Sequence, residues 1–327
     1  MNTLDKPDKK MIRSNKFPRE TSHKIMKLPW YLHFFTYYLK CRLFQKRIPL
    51  LAGFKITNSC NLSCVHCPFW ERNPQKMLAF NQVKNILSTL YELGIRILIL
   101  EGGEPFLWKD GKHTIHDVVE AAKSLFFSVG ITTNGTFPLT IKPHTIWVSI
   151  DGLKDTHNQI RENSFDRAIE NIINSSHPNI YANITINRIN YQEIPDLVKF
   201  LTGKIKGITI QFHYPYEKDD NLTLSFEKRR EVLDNLITLK KEGYPIADSY
   251  LCLESLKNNS WDCQDWMLAN VEPDGSTNLG CYVKGRGKVQ CKMCGFAAHV
   301  EISLAYRWHI ESILVGKKLF RYGKSVQ

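Results

Sequence analysis

The sequence of 327 residues lacks several features that would assign a protein to a class at once. Its first 23 residues are charged and polar, without the apolar core and cleavage site of a secretory signal, so we expect a cytoplasmic protein. The apolar run Leu28–Leu39 contains His33 and is shorter than the roughly 20 residues that span a bilayer. The sequence has no internal repeat and no low-complexity tract, and its ordinary composition argues against wholesale disorder.

Acidic residues are scarce at the N-terminus. Residues 1–50 hold 12 Lys or Arg against three Asp or Glu, which is +9 of the net charge of +12. The partner that this charge implies, a nucleic acid or an anionic membrane, would therefore meet the N-terminus. Of the two, we regard nucleic acid as the less favoured.

Residues 24–47 are aromatic and amphipathic, with six apolar residues at helical spacing. These six are Ile25, Leu28, Leu32, Phe35, Leu39 and Leu43. Basic residues at both ends of an aromatic middle suit a helix that lies in the membrane interface. A helix that packs on the main domain is the alternative. We expect a boundary after residue 48, a core over 49–245 and a cysteine-rich region over 246–327.

From Pro49 the pattern alternates between strands and helices, which predicts a parallel α/β sheet. Six βα units are too few for a closed eight-stranded barrel, so we predict a partial TIM-like barrel of (β/α)6 type. The predicted strands are Ala52–Thr57, Ile95–Leu100, Val129–Thr133, Thr145–Ile150, Ile180–Ile186 and Gly207–Phe212. Beyond a long helix at Ser225–Glu242 the alternation stops, and we expect a hairpin at Met267–Leu279 and a last helix at Leu304–Leu314.

Three cysteines, Cys60, Cys64 and Cys67, follow the first predicted strand within eight residues. Without an export signal, clustered cysteines indicate metal or redox ligands. Three thiolates are one fewer than a closed site needs, so the centre would keep an open position for a small molecule. The alternative is a zinc knuckle that lacks its fourth ligand.

All six predicted strands end in small or polar residues. In parallel α/β folds ligands gather at these carboxyl ends, so one rim of the sheet should form the site. The strand ends are the cysteine loop, Gly102-Gly103-Glu104-Pro105, Thr132–Gly135, Ser149–Gly152, Thr185–Asn187 and Gln211–His213.

The cysteine spacing CxxxCxxC, together with Gly102-Gly103-Glu104-Pro105 one βα unit later, resembles the radical S-adenosylmethionine (radical SAM) enzymes. The resemblance covers roughly residues 50–215. It implies that Cys60, Cys64 and Cys67 hold three irons of a 4Fe–4S cluster, while the fourth iron chelates SAM. An electron from the reduced cluster would cleave SAM to a 5′-deoxyadenosyl radical, which would abstract hydrogen from a substrate C–H bond.

The resemblance also implies the residues that contact SAM. Gly102, Gly103 and Glu104 would receive its ammonium group, and His66 would lie beside the adenine unless it is a simple surface imidazole. Arg161 resembles an arginine that reaches the SAM carboxylate. The remaining candidates, for which a structural role is the alternative, are Asn134, Ser149, Asp151 and Asn187.

The later cysteines form a second group. Cys263, Cys281, Cys291 and Cys294 resemble the auxiliary-cluster extensions of SPASM and Twitch type, although a full SPASM pattern has seven cysteines. We expect one auxiliary 4Fe–4S cluster, with structural zinc as the alternative. Cys252 is either a substitute ligand or a buried thiol, and Cys41 is expected to be a buried thiol.

The sequence leaves the substrate open. The N-terminal helix favours a lipid or membrane-associated substrate, whereas the auxiliary region favours a peptide- or protein-modifying maturase. A non-catalytic iron–sulfur protein or nucleic-acid binder is a distant third possibility. The resemblance further implies a low-potential electron donor of flavodoxin or ferredoxin type. His213, Tyr214 and Cys252 are expected near the cavity without an assigned role.

Overall fold

The computed structural model describes residues 29–69, 77–216 and 220–322. The predicted basic tail 1–23, residues 24–28 of the N-terminal segment and the basic Lys324 lie outside the described residues.

The chain alternates between strands and helices, as the sequence predicts. The helices are α1 Trp30–Leu43, α2 Phe80–Glu92, α3 Ile115–Leu125, α4 Lys154–Arg161, α5 Phe165–Ile173, α6 Ile194–Leu201, α7 Phe226–Lys241, α8 Tyr250–Leu256, α9 Ala297–Tyr306 and α10 Ile310–Phe320. The strands are β1 Leu51–Lys55, β2 Ile97–Glu101, β3 Lys109–Asp110, β4 His113–Thr114, β5 Ser128–Thr133, β6 Thr145–Ser149, β7 Ile180–Ile186, β8 Gly207–Phe212, β9 Leu268–Val271 and β10 Thr277–Leu279.

The six predicted strands form one parallel sheet in the order β1-β2-β5-β6-β7-β8. Their apolar residues are almost all buried because helices cover the outer face of the sheet. The sheet stays open between its end strands, so the prediction of a partial barrel is confirmed.

The predicted hairpin exists, but it belongs to the main sheet. Strand β9 pairs in parallel with β1, with Leu51 opposite Leu268, and β10 pairs antiparallel with β9. The alternation of strands and helices stops after α7, as predicted, but the sheet continues into this hairpin. A strand from the cysteine-rich region covers the edge of β1 that would otherwise present unpaired backbone groups.

The prediction of one last helix at Leu304–Leu314 is wrong. Helix α9 ends at Tyr306 and α10 begins at Ile310. Between them Trp308 adopts a φ of +66°, a left-handed conformation that does not continue a right-handed helix. The apolar periodicity runs across this break, which is why the sequence conceals it.

Helix α1 packs against the start of the sheet, so the alternative of a helix on the main domain is confirmed. Tyr37 and Cys41 are buried against Leu50, Ile97 and Met267. The buried face is not the one that the sequence spacing indicates. Of the six predicted face residues, Leu32, Phe35 and Leu43 are exposed. In the part of the chain that the structure describes, no helix is both long and apolar enough to cross a membrane.

Asp248 joins the edge of β8 to the C-terminal helices. It is fully buried, and its Oδ2 accepts a hydrogen bond from the Ile210 amide at 2.9 Å. Burial, followed by the nearby Glu301 carboxylate, raises the pKa of Asp248 to about 8. The folded protein therefore holds this proton well above the pH at which an unfolded aspartate releases it.

We predict that Asp248→Asn flattens the pH dependence of stability between pH 6 and pH 8. The raised folded pKa contributes stability below the unfolded pKa, and this contribution is lost as the pH rises toward about 8. The wild-type free energy of unfolding should fall by on the order of 1 kcal/mol per pH unit relative to the variant. Asparagine keeps an acceptor for Ile210, so the fold should persist.

Urea unfolding at several pH values measures this difference. Asp196→Asn is the matched control, because that carboxylate is largely exposed and should leave the slope unchanged. Equal slopes for the wild type and Asp248→Asn would contradict the buried, protonated state of Asp248.

Candidate functional site

The loop that follows β1 is fixed to the end of β2 by main-chain contacts. The Gly103 amide donates to the Thr57 carbonyl at 2.7 Å, and the Glu104 amide donates to the Ser59 carbonyl at 2.8 Å. A Cβ on Gly102 would come within 2.4 Å of the Thr57 oxygen, and one on Gly103 within 2.2 Å of the Ser59 oxygen. Only glycine allows two backbones to approach this closely.

This contact orients the three cysteines. Cys64 is buried, while Cys60 and Cys67 are partly exposed. Burial raises the pKa of the Cys64 thiol to about 12; Arg161 acts against this rise, and the thiols of Cys67 and Cys60 contribute to it. Three thiols that act on one another in this way occupy one small region, as ligands of a common centre must.

Glu104 is committed to contacts within the protein. Its carboxylate is fully buried and accepts hydrogen bonds from the Asn134 amide (2.7 Å), the Thr133 hydroxyl (2.8 Å) and the Phe106 amide (3.2 Å). The side chain therefore fixes the end of β5 beside the cysteine loop. Its predicted contact with the SAM ammonium group stays a prediction.

Arg161 lies at the end of α4 and points toward the cysteines. Its Nη1 is 3.8 Å from the Cys64 sulfur and its Nη2 is 3.4 Å from His66 Nε2. Asp151 holds the guanidinium through Nε at 2.5 Å and also accepts from the Thr185 amide. Burial, and then Arg161, lowers the pKa of His66 to about 3, so this imidazole is neutral. The alternative of a simple surface imidazole is wrong, because His66 is enclosed.

A cavity of about 310 Å³ extends from the cysteine loop into the sheet, and we call it the pocket. This volume is in the range of small-molecule sites. The predicted residues that line it are Cys60, Cys64, His66, Cys67, Gly102, Gly103, Asn134, Ser149 and Arg161. Asn134 also donates to the Asn61 side chain and lies 3.9 Å from the Cys60 sulfur.

Three predicted residues do not line the pocket: Glu104, Asp151 and Asn187. Each is completely buried. Asn187 uses its side chain in the turn after β7, where Oδ1 accepts from the Ile189 amide and Nδ2 donates to the Thr185 carbonyl. The positioning roles of these residues follow from contacts between distant strands, which no local sequence pattern displays.

The pocket contains a charged pair that the sequence analysis missed. Lys55, at the end of β1, is almost fully buried, and its ammonium lies 3.6 Å from the Glu101 carboxylate. The ammonium donates a hydrogen bond to the Tyr282 hydroxyl at 2.8 Å and lies 4.1 Å from the centre of the Phe69 ring. The sequence does contain a signal for this pair, which is a lysine at the end of an otherwise apolar strand, directly before the cysteine loop.

Glu101 is shared between two cations. Besides Lys55, the Arg286 guanidinium lies 3.4 Å from its Oε1, and Arg286 pairs more closely with Glu272 at 2.6 Å. The Lys55–Glu101 distance exceeds that of a hydrogen bond. The pair therefore offers a cation and an anion to a polar molecule in the pocket.

His213 and Tyr214, which follow β8, also line the pocket. His213 Nε2 lies 2.5 Å from the Asp220 carboxylate, and its ring faces His66 with the ring centres 6.5 Å apart. Tyr214 donates to the Lys288 carbonyl and accepts from the Gln290 amide, so it holds the segment before Cys291.

The four later cysteines lie close together. Burial raises the pKa of Cys263 to about 12, with further contributions from Cys294 and Cys281. Burial likewise raises the pKa of Cys294 to about 11, with contributions from Cys281 and Cys291. The buried Arg229 of α7 supports this group by donating to the Cys294 carbonyl at 2.9 Å.

Cys252 lies elsewhere. It is fully buried beside Asp248 and Glu301, and its thiol donates to the Ala297 carbonyl. It does not line the pocket, so the expectation that placed it near the cavity is wrong. Cys41 is buried against Tyr37, as expected of a packing thiol.

Comparison with known proteins decides the family. Residues 54–201 match the model of the radical SAM superfamily. This stretch runs from β1 to the end of α6 and contains the cysteine loop, Gly102-Gly103 and Arg161. The chain carries a radical SAM domain. Members of this superfamily are enzymes that use a 4Fe–4S cluster and SAM, and residues 54–201 are similar to them.

Relatives extend the comparison beyond this domain. The chain is 26% identical to the Fe-coproporphyrin III synthase of Methanosarcina barkeri over 72% of its length. It is 30% identical over 46% of its length to the sporulation killing factor maturation protein SkfB of Bacillus subtilis, and 24% identical over 77% to the mycofactocin maturase MftC of Mycolicibacterium smegmatis. The matches span 66%, 39% and 65% of those proteins.

Solved structures show the same fold. Streptococcus suis SuiB bound to its precursor peptide SuiA superposes with a TM-score of 0.61 at 14% identity, covering 94% of this chain and 75% of SuiB. The enzyme anSMEcpe, bound to AdoMet and the peptide Kp18Cys, gives a TM-score of 0.56 at 17% identity, covering 83% of this chain and 84% of that one. These likenesses confirm the partial barrel.

The residues of the site fit a 4Fe–4S cluster and SAM. Three thiols converge at one end of a cavity of suitable size, and Gly102 and Gly103 line the cavity with them. The buried His66 Nδ1 has no hydrogen-bond partner among the described residues, which suits a ligand acceptor in the pocket.

We predict that Gly103→Ala prevents iron binding at the cysteine loop. The added Cβ would collide with the Ser59 carbonyl at 2.2 Å, so the loop must move away from β2. The variant should lose about four irons per chain after anaerobic reconstitution. Overpacking should also lower its unfolding free energy by about 1–3 kcal/mol.

Gly316→Ala, within α10, is the matched control. Its Cβ would meet only the Tyr322 hydroxyl at 3.7 Å, so iron content and stability should be retained. Full iron occupancy in Gly103→Ala would show that the close contact does not organise the loop.

Proposed function

We propose that this enzyme reductively cleaves SAM and removes a hydrogen atom from a C–H bond of its substrate. The observation that carries the proposal is the convergence of three thiols at one end of the pocket, which Gly102 and Gly103 also line. With the cluster and SAM bound, one-electron reduction of the sulfonium would break its C5′–S bond to give methionine and a 5′-deoxyadenosyl radical. That radical would take a hydrogen atom from the substrate to give 5′-deoxyadenosine and a substrate radical.

The residues of the chain have separate tasks in this proposal. Cys60, Cys64 and Cys67 would ligate the cluster, and Gly102 and Gly103 would offer backbone oxygens to the SAM ammonium group. The guanidinium of Arg161, held by Asp151, would pair with the SAM carboxylate. The burial of these groups keeps water and stray hydrogen donors away from the reacting carbon.

We propose a peptide as the substrate. Two relatives are named as a maturation protein and a maturase, and two solved structures of this fold hold peptides. The pocket itself supports a polar substrate, since Lys55, Glu101, Asn183 and Gln211 line it. These polar side chains match the backbone and polar groups of a peptide better than a lipid tail. The lipid-substrate hypothesis thus has no support in either the pocket or the relatives.

We predict that the reduced, reconstituted protein converts SAM to 5′-deoxyadenosine. Cys64→Ala removes one thiol of the centre and should reduce this product to background. Chromatography of anaerobic reactions with dithionite measures it. No product above the Cys64→Ala level would refute the proposed chemistry.

The same assay tests the pocket when a precursor peptide encoded beside the gene is added. Mass spectrometry should detect a modified peptide with the wild type. Lys55→Met should keep 5′-deoxyadenosine formation and lose at least ten-fold in peptide modification, because the ammonium that receives the polar substrate is gone. If Lys55→Met modifies the peptide at the wild-type rate, Lys55 does not take part in substrate binding.

We further propose one auxiliary 4Fe–4S cluster on Cys263, Cys281, Cys291 and Cys294. Thiols around one tetrahedral zinc lie roughly 3.8 Å apart, given Zn–S bonds near 2.3 Å. Across the described residues, the one set of three or more candidate ligand atoms within 4.8 Å is Asp248, Cys252 and Glu301. The wider spacing of the four thiols supports a cluster rather than a single ion.

We predict that the double variant Cys263→Ala, Cys294→Ala binds about four fewer irons per chain than the wild type. Cys252→Ala is the control with one buried thiol removed outside the group, and its iron content should be unchanged. Metal analysis after reconstitution decides the matter. One zinc per chain, lost in the double variant, would instead establish a structural zinc site.

Electrons for the reaction would come from a low-potential flavodoxin or ferredoxin. A cytoplasmic location, which offers both such donors and reduced thiols, accords with the free cysteines.

A further inference from the structure

An apolar surface remains exposed where α1 meets the turn between α9 and α10. The exposed fractions are 58% for Phe35, 58% for Trp308 and 72% for Ile310. Trp308 joins the two elements, because its ring lies 4.4 Å from that of Tyr38 and its indole N–H donates to the Tyr38 hydroxyl. We call this surface the α1–α10 face. Its exposed members are Tyr31, Leu32, Phe35, Leu43, Phe44, Trp308, Ile310, Ile313 and Leu314.

The α1–α10 face gathers nine exposed apolar or aromatic side chains on two elements that Trp308 joins. Such contiguous patches mark sites of interaction with a partner or a membrane. Leu32, Phe35 and Leu43 belong to the apolar stripe that the sequence predicts for this helix, but they are exposed. The residues that α1 buries are Tyr37 and Cys41. The helix is thus apolar on two sides, and the fold covers only one.

Basic residues surround this face. Residues 29–47 contain four Lys or Arg and no Asp or Glu. Lys40, Lys46 and Arg47 are exposed, as are Lys317 and Lys318 at the end of α10. A positively charged rim around aromatic and aliphatic side chains complements an anionic lipid surface. It opposes a symmetric contact between two copies, which would bring like charges together.

The position of the face sets an orientation. Helix α1 packs on Leu50 and Ile97, at the start of β1 and β2, whereas the cysteine loop and Gly102 lie at the opposite ends of these strands. Docking through α1 would therefore leave the cysteine end of the pocket directed away from the bilayer.

We propose that the α1–α10 face docks this enzyme on anionic membranes while its active site faces the aqueous side. The membrane then acts as an anchor and does not supply the substrate. This inference is independent of the reaction proposed above, because it concerns a surface at the other end of the sheet.

Flotation of the full chain with lipid vesicles tests the proposal. The wild type should float with phosphatidylcholine–phosphatidylglycerol (7:3) vesicles and stay behind with pure phosphatidylcholine. The double variant Phe35→Glu, Trp308→Glu should lose at least ten-fold in the floating fraction. Ile173→Glu, at an equally exposed site on α5, is the control and should float as the wild type does.

Three results would overturn the docking face. One is wild-type protein that does not float with anionic vesicles. Another is equal flotation of the double variant, which would place the contact elsewhere on the chain. The third is a wild-type dimer in solution that Phe35→Glu splits into monomers, since a second copy would then cover the face. Thermal unfolding must first show that the variants are folded.

Discussion

The close contact between the Gly102-Gly103 backbone and the loop after β1 is the constraint on which the site depends. Two main-chain hydrogen bonds, and the lack of side chains on Gly102 and Gly103, bring the ends of β1 and β2 together. The cysteines, the open pocket and the buried Glu104 carboxylate all take their positions from this approach. The two glycines thus bring the two loops together, and they also line the pocket.

A second layer of residues holds this arrangement without entering the pocket. Asp151 orients Arg161 and also accepts from the amide of β7, so one carboxylate links three elements. Glu104 does the same between β2 and β5. Replacing a buried carboxylate that accepts several hydrogen bonds costs free energy, because its donors are left without a partner. Asp151 and Glu104 therefore act as structural supports of the site.

The sequence analysis succeeded where chemistry is local. Buried parallel strands are continuous apolar runs, so β7 and β8 were predicted to the residue, and three of the cysteines predicted to act together line one pocket. It failed where contacts join distant segments. The pairing of β9 with β1, the enclosure of Asn187 and the pair formed by Lys55 and Glu101 arise only after the sheet has folded. The break at Trp308 was hidden because apolar residues continue across it.

The pairing of Leu51 with Leu268 has a consequence for how the protein forms. During synthesis β1 emerges early, but one of its edges stays unpaired until β9 is made, more than 200 residues later. Contacts of such high sequence separation slow folding, and an uncovered edge invites pairing between nascent chains. The cysteine-rich region therefore completes the first strand of the core only late in synthesis, whatever else that region does.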